Sequence, residues 1–180
     1  EADEFDRSFL TLHPDLLCIT SIDSDHLDIY QNVENLETSF QSFAALVSNP
    51  NRRWVREGLD VSGIRFGTSK RAEVWVEHVR VENGHYIFDF HSKDQILKDL
   101  HLILPGEHNL MNATVAIAMA LSVGCDPQSI ATALQHFRGV DRRFSVRTEE
   151  PAVVIDDYAH HPTEINQMAD AVKQFYPSAK

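Results

Sequence analysis

Leu16–Ile22 (LLCITSI) is a short, nearly continuous apolar run between two acidic segments, and it constrains the fold more than any other stretch. A strand with one wet face alternates apolar and polar residues. A run like this one suits a strand covered on both faces, as in a parallel sheet flanked by helices. The segment before it, Glu1-Ala-Asp-Glu-Phe-Asp6, reads as a strand end turning into a carboxylate-rich loop; the one after it is Asp23-Ser-Asp-His-Leu-Asp28. Ligands of open α/β sheets collect at the C-terminal ends of the strands. Two such ends delivering Glu1, Asp25 and His26 to one edge would offer oxygen ligands and one imidazole. With no thiolate and no second close histidine, that set suits Mg²⁺ or Mn²⁺ better than zinc. The competing reading is a solvated loop in which Asp25 or Asp28 caps a helix.

The rest of the pattern alternates strand and helix. Leu36, Phe40, Phe43, Ala44 and Val47 recur at helical spacing, and Asn49-Pro50 stops that helix. Residues 52–68 carry mixed signals that end in a short strand and turn at Ile64-Arg-Phe-Gly67. Val74, Val76 and Val79–Val81 lead to Asn83-Gly84, and Tyr86, Phe88 and Phe90 alternate beyond it, which predicts a β-hairpin. Leu100–Leu104 is a further strand ended by Pro105-Gly106. Asn109 to Val123 reads as a small-residue helix closed by Gly124; Asp126-Pro127 opens another, with Ile130, Ala133, Leu134 and Phe137 on its inner face. Arg138–Phe144 is charged and aperiodic, a linker. Val153–Ile155 then restarts a strand, and Thr163–Phe175 a helix.

A chain of 180 residues holds one domain with a core, or one domain plus part of another. Opening inside a motif, it reads as the middle of a larger enzyme. Its net charge of −11, with no long basic run, argues against a nucleic-acid backbone or an anionic membrane as partner. No apolar stretch approaches the length of a membrane span. Cys18 and Cys125 both lie in apolar surroundings, which predicts two buried thiols in a reducing cytoplasm.

Three further constellations carry chemistry. Leu104-Pro-Gly-Glu-His-Asn-Leu-Met-Asn112 places Asn109 and Asn112 three apart at a helix start, so both amides share a face. An amide offers a donor and an acceptor together, as the edge of a base requires; the alternative is Asn109 as a plain N-cap. Asp141-Arg-Arg-Phe144 sets two guanidiniums in the linker, suited to bidentate phosphate contact or else to a solvated charge pair. Ile155-Asp-Asp-Tyr-Ala-His-His-Pro-Thr-Glu164 ends an apolar strand in two carboxylates and two imidazoles. A capped helix start there explains Thr163 and Glu164, but not Asp156, Asp157, His160 and His161 together.

The segments E-A-D-E-F-D-R-S-F-L, D-S-D-H-L-D-I-Y, L-P-G-E-H-N-L-M-N-A, G-V-D-R-R-F and D-D-Y-A-H-H-P-T-E-I occur in that order. Together they resemble the Mur ligases of peptidoglycan precursor synthesis, from Glu1 to about Ile165. The resemblance implies an α/β fold class: a partial P-loop-type central domain, mostly parallel sheet with a β-hairpin insertion, over residues 1–143. Residues 144–180 would be the first β–α unit of a Rossmann-like C-terminal domain. It implies an ATP-dependent, amide-forming ligase of the cytoplasm with UDP-N-acetylmuramate, L-alanine and ATP as partners and Mg²⁺ (or Mn²⁺) as metal. In that chemistry ATP phosphorylates the muramoyl carboxylate, and the amino group of L-alanine attacks the acyl phosphate. Metal and Arg would neutralise the transferring charge, and domain closure would exclude water.

Carried over by motif, Glu1 and His26 match the family's metal ligands, and Asn109 and Asn112 its adenine-side pair. Arg143 matches the linker arginine that reaches the ATP phosphates, and Asp157 the carboxylate on the ribose. Tyr158, His160 and His161 would line the amino-acid side, with Arg143 and His160 in catalytic roles. The P-loop falls outside this sequence, so the expectation is that these residues alone do not bind ATP productively. No Lys occurs between His26 and Lys70, which leaves no place for the carbamylated lysine of several sibling ligases. Two alternatives stay open. One is a sister ligase adding a recycled peptide to the same sugar nucleotide. The other is a metal-dependent phosphohydrolase built on D-H-x-D and D-D-x-x-H-H.

Overall fold

The computed structural model describes residues 4–23 and 27–178, and the chain divides into two compact units, Glu1–Trp75 and Val76–Lys180. In the first unit, β1 (Leu17–Ile19), β2 (Arg53–Arg56), β3 (Ile64–Gly67) and the start of β4 (Val74–Glu82) lie side by side in parallel. The register sets Ile19 beside Val55 and Phe66 beside Val74. Helix α1 (Leu27–Tyr30) precedes α2 (Val33–Ala45), which starts where the Asn32 side chain accepts the Asn35 N–H at 2.8 Å. Its buried face, Leu36, Phe43 and Ala44, is the expected apolar stripe. Phe43 and Phe40 meet the ring of Phe9 at centroid distances of 4.8 and 5.3 Å, and Leu17, Ile19, Val47, Val55 and Val61 complete that core.

Two strands of this unit differ from what the sequence pattern alone displays. β2 lies within the stretch of mixed signals because arginines bracket its apolar pair. Arg53 donates from Nε to the Val47 carbonyl at 2.6 Å, so a charged residue at the strand's start serves the fold. The strand expected over Leu16–Ile22 is only three residues long, and its pleat buries Leu17 and Ile19 but turns Cys18 outward. Cys125 is exposed as well, in the turn that follows Gly124, so neither thiol is buried as expected. The chain around Cys18 still desolvates its sulfur enough to push the thiol pKa up.

The second unit takes in the rest of β4, β5 (His85–His91) and β6 (Ile96–Leu102), in that order. The hairpin turn at Asn83 (φ 51°) and Gly84 (φ 71°) has both central residues in the left-handed region, as a type I′ turn requires. β5 and β6 are antiparallel, with Tyr86 opposite Leu102 and a register shift between Phe88 and Phe90. At the shift the buried Asp89 accepts the Asp99 N–H and a His78 ring contact, both at 2.9 Å. β6 begins four residues before the expected start because Lys98-Asp99 interrupts its apolar pattern.

Helix α3 (Glu107–Ser122) buries seven residues from Leu110 to Ala118. Helix α4 (Pro127–His136) is capped by Asp126, but of its expected inner face only Ile130 is buried; Phe137 lies past the helix end, 51% exposed. β7 (Ser145–Thr148) and β8 (Val154–Asp156) form an antiparallel ribbon, followed by α5 (Pro162–Phe175). The expected single strand is therefore a strand pair. Tyr86 donates its hydroxyl to Gln174 and meets Phe175 edge-on at 4.9 Å, anchoring the end of α5. Among the described residues no helix is long and apolar enough to cross a membrane.

Candidate functional site

The site assembles within the second unit, from the start of α3, the linker before β7, and the loop from β8 into α5. The N-cap of α3 is Gly106, whose φ of 95° lets Pro105-Gly106 turn the chain out of β6. A Cβ on Gly106 would lie 2.5 Å from His108 Cε1 and 2.8 Å from its Nδ1, so the imidazole folds back over the glycine. That Nδ1 is buried and has no hydrogen-bond partner among the described residues. Burial holds the His108 pKa below its ordinary value; the charge of Asp157 opposes the shift and that of Arg143 adds to it.

Asn109 is not the N-cap but the third residue of α3; its amide donates to the Pro105 carbonyl at 2.7 Å, which leaves the carbonyl end of the amide for another partner. Asn112 follows one turn on and is exposed.

The linker is bent by left-handed residues, Gly139 (φ 81°), Arg142 (φ 60°) and Phe144 (φ 48°). The Arg142 carbonyl accepts the Tyr158 N–H at 2.8 Å, and its guanidinium stacks 4.6 Å from the Tyr158 ring centroid. Arg143 extends to Glu164 at 3.4 Å. Asp157 accepts the Phe144 N–H with one oxygen and the Ala159 N–H with the other, each at 2.7 Å. One carboxylate thus pins the linker to the end of β8.

Beyond Asp157, the ring of His160 meets that of Tyr158 at 5.4 Å, and its Nδ1 lies 3.1 Å from the Tyr158 carbonyl. The His161 Nδ1 accepts the Thr163 N–H at 3.3 Å and caps α5, with Pro162 in the first turn. Glu164 completes a capping box, its Oε2 accepting the His160 and His161 N–H groups at 3.1 and 3.3 Å. Burial pushes the Glu164 carboxyl pKa up, but these N–H donors and Arg143 outweigh it and hold it below the usual range.

Part of the D-D-x-x-H-H constellation therefore serves the fold, against the expectation that a helix cap leaves it unexplained. His161 is the cap, Asp157 fixes the linker, and Asp156 pairs with Arg147 at 2.8 Å. Arg143, Asp157, Tyr158, His160 and His161 are brought together; Asn109 and Asn112 stand at the start of α3 beside His108. Glu1 and His26 lie outside the described residues, and among the described residues no three His, Cys, Asp or Glu side chains group to hold a metal ion. Sequence reasoning did not single out His108, read Arg142 only as one of a pair of linker guanidiniums, and took Glu164 only as part of a capped helix start. For Glu164 the signal was present, because it stands three residues after His161, at capping-box spacing.

Comparison with known proteins bears on the same elements. A family described as the Mur ligase middle domain matches residues 2–120, and one described as the Mur ligase, glutamate ligase domain matches residues 142–180. The chain is 49% identical over its whole length to UDP-N-acetylmuramate–L-alanine ligase of Flavobacterium psychrophilum, and 37% identical to the enzyme of that name from Salinibacter ruber. It spans 40% of the length of each. The crystal structure of MurC from Thermotoga maritima superposes with a TM-score of 0.84 at 29% identity, covering 98% of this chain and 42% of that one. MurF from Acinetobacter baumannii shares the fold, with a TM-score of 0.79 at 22% identity, over 94% of this chain and 40% of that one. With one family matched over well more than half its length, this chain belongs to the Mur ligases.

Proposed function

We propose that residues 104–112 and 142–164 form the nucleotide- and acceptor-facing part of a cytoplasmic ATP-dependent ligase that joins L-alanine to UDP-N-acetylmuramate. The observation that carries the reading is the pinned linker. Asp157 holds Phe144 at 2.7 Å, so the neighbouring guanidiniums of Arg142 and Arg143 stand over Tyr158 and against Glu164, beside His160. The choice of substrates is supported by the names of relatives 46–49% identical over the whole of this chain.

ATP supplies the phosphoryl group that activates the sugar-nucleotide carboxylate. Arg143 has the residue chemistry for its phosphates: a planar fork held by one contact and half exposed. Asn109 and Asn112 offer amides to the base, and Asp157, beyond its backbone contacts, has lone pairs left for a ribose hydroxyl. Tyr158, His160 and His161 face the amino acid, with His160 able to take a proton from its ammonium. Glu1 and His26 would hold Mg²⁺ or Mn²⁺, which would neutralise charge on the transferring phosphoryl group. The domain junction falls at residues 143–144, between Arg143 and the Phe144 that Asp157 fixes.

The acceptor is tested with the full-length protein, ATP and UDP-N-acetylmuramate, offering L-alanine or a murein tripeptide. Amide formation with L-alanine is expected, and turnover with the peptide alone overturns the proposal. A phosphohydrolase would instead release phosphate from phosphoesters without a nucleotide.

A further inference from the structure

We propose that Glu164 is a positioning residue whose single carboxylate ties the phosphate-facing Arg143 to the acceptor-facing His160 and His161. The proposal rests on the functional reading of those three residues given above. One oxygen of Glu164 lies 3.4 Å from Arg143 Nη1. The other accepts the backbone N–H groups of His160 and His161 at 3.1 and 3.3 Å, and lies 3.5 Å from His160 Nδ1. Four groups on two sides of the site thus share one side chain.

Capping does not account for the charge. A glutamine at the same position of a capping box serves the backbone N–H groups as a glutamate does. Nor does stability account for the ion pair. Arg143 is 51% exposed and Glu164 34% exposed, and pairs so open to solvent contribute little to folding. What the charge does is aim a guanidinium. The contact engages one nitrogen of Arg143 at long range, and the remaining N–H groups of the fork stay available for bidentate phosphate contact. The same carboxylate fixes the backbone from which both imidazoles project. A shift of Glu164 therefore moves the phosphate side and the acceptor side together.

The charge and the hydrogen bonds separate by substitution. Glu164→Gln keeps the cap and removes the charge, whereas Glu164→Ala removes both. These variants, Arg143→Ala and the double variant Glu164→Gln/Arg143→Ala are compared in the full-length ligase by kcat, by KM for ATP and L-alanine, and by urea midpoint. Glu164→Gln is expected to keep the wild-type midpoint and to lose roughly tenfold in kcat/KM for ATP, the scale of a small misplacement. KM for L-alanine stays unchanged in Glu164→Gln and rises in Glu164→Ala. The Glu164→Gln loss disappears in the Arg143→Ala background, because the charge acts through that guanidinium. Wild-type kinetics in Glu164→Gln, or losses that add independently of Arg143→Ala, overturn the inference. If Arg143→Ala itself leaves kcat/KM for ATP unchanged, the functional reading of Arg143 fails as well. An impaired Arg143→Ala beside a silent Glu164→Gln sinks the inference alone. A merely structural glutamate would lower the midpoint and leave the two KM values unsplit. Should Glu164→Ala fail to fold, Glu164→Gln still decides.

Discussion

Asp157 accepts the backbone N–H of Phe144 at 2.7 Å, and this contact joins the end of β8 to a linker residue held at a φ of 48°. Phe144 is buried, so its N–H has no water to fall back on. Removing the carboxylate leaves that donor unsatisfied and frees the Ala159 N–H as well. Asp157→Ala should cost ~1–3 kcal/mol in urea denaturation. Asp157→Asn restores only one acceptor and should fall between the two. A midpoint equal to wild type would show that the pin is unimportant.

His108 is expected to stay neutral below the pH at which an exposed histidine charges. Its folded pKa is depressed by burial, so its contribution to stability is present above the ordinary value of 6.5 and is lost as pH falls through the depressed folded value. An NMR titration of the His108 imidazole checks this. A midpoint at or above 6.5 contradicts it.

Gly106→Ala tests the same corner from the backbone. A φ of 95° strains any residue with a Cβ, and the new methyl would meet His108 Cε1 at 2.5 Å. The imidazole can swing away, so the backbone strain dominates, at about 1–2 kcal/mol. Its displacement should move the His108 titration back toward the ordinary value. Unchanged stability with an unchanged His108 titration would refute the close packing.

Asp89 makes an acid-sensitive clasp on the β5–β6 bulge. Burial pushes its pKa up, but the hydrogen bonds from His78 and the Asp99 N–H, with the charges of His78 and Lys98, win and hold it below 3.8. For a depressed carboxylate the stabilisation is present above the unfolded value and is lost as pH falls through the folded one. Asp89→Ala should cost ~1–3 kcal/mol near neutral pH, and the cost should shrink only as pH falls below 3.8. A pH-independent difference between variant and wild type would count against this account.

Elements with one dominant periodicity were legible in the sequence: the hairpin at Asn83-Gly84, the stripe of α2, the small-residue helix α3 and the restart at α5. β2 and β7 were not, because each is short and carries arginines whose contacts lie elsewhere, Arg53 on the Val47 carbonyl and Arg147 on Asp141 and Asp156. In the site, the motif residues were legible as types but not their division of labour. Nothing in D-D-Y-A-H-H-P-T-E says that one aspartate pins the linker while the second histidine caps a helix. His108 went unnoticed because its distinguishing property, a buried nitrogen with no partner among the described residues, exists only in three dimensions.

The most direct test of the central claim is the Arg143→Ala substitution in the full-length ligase, read by phosphate release with UDP-N-acetylmuramate, ATP and L-alanine all present. If the pinned linker presents Arg143 to the nucleotide phosphates, kcat/KM for ATP should fall by about 10²-fold or more, as for loss of one charge-stabilising donor, while the urea midpoint stays put. Wild-type kcat/KM for ATP in the folded variant would contradict the account.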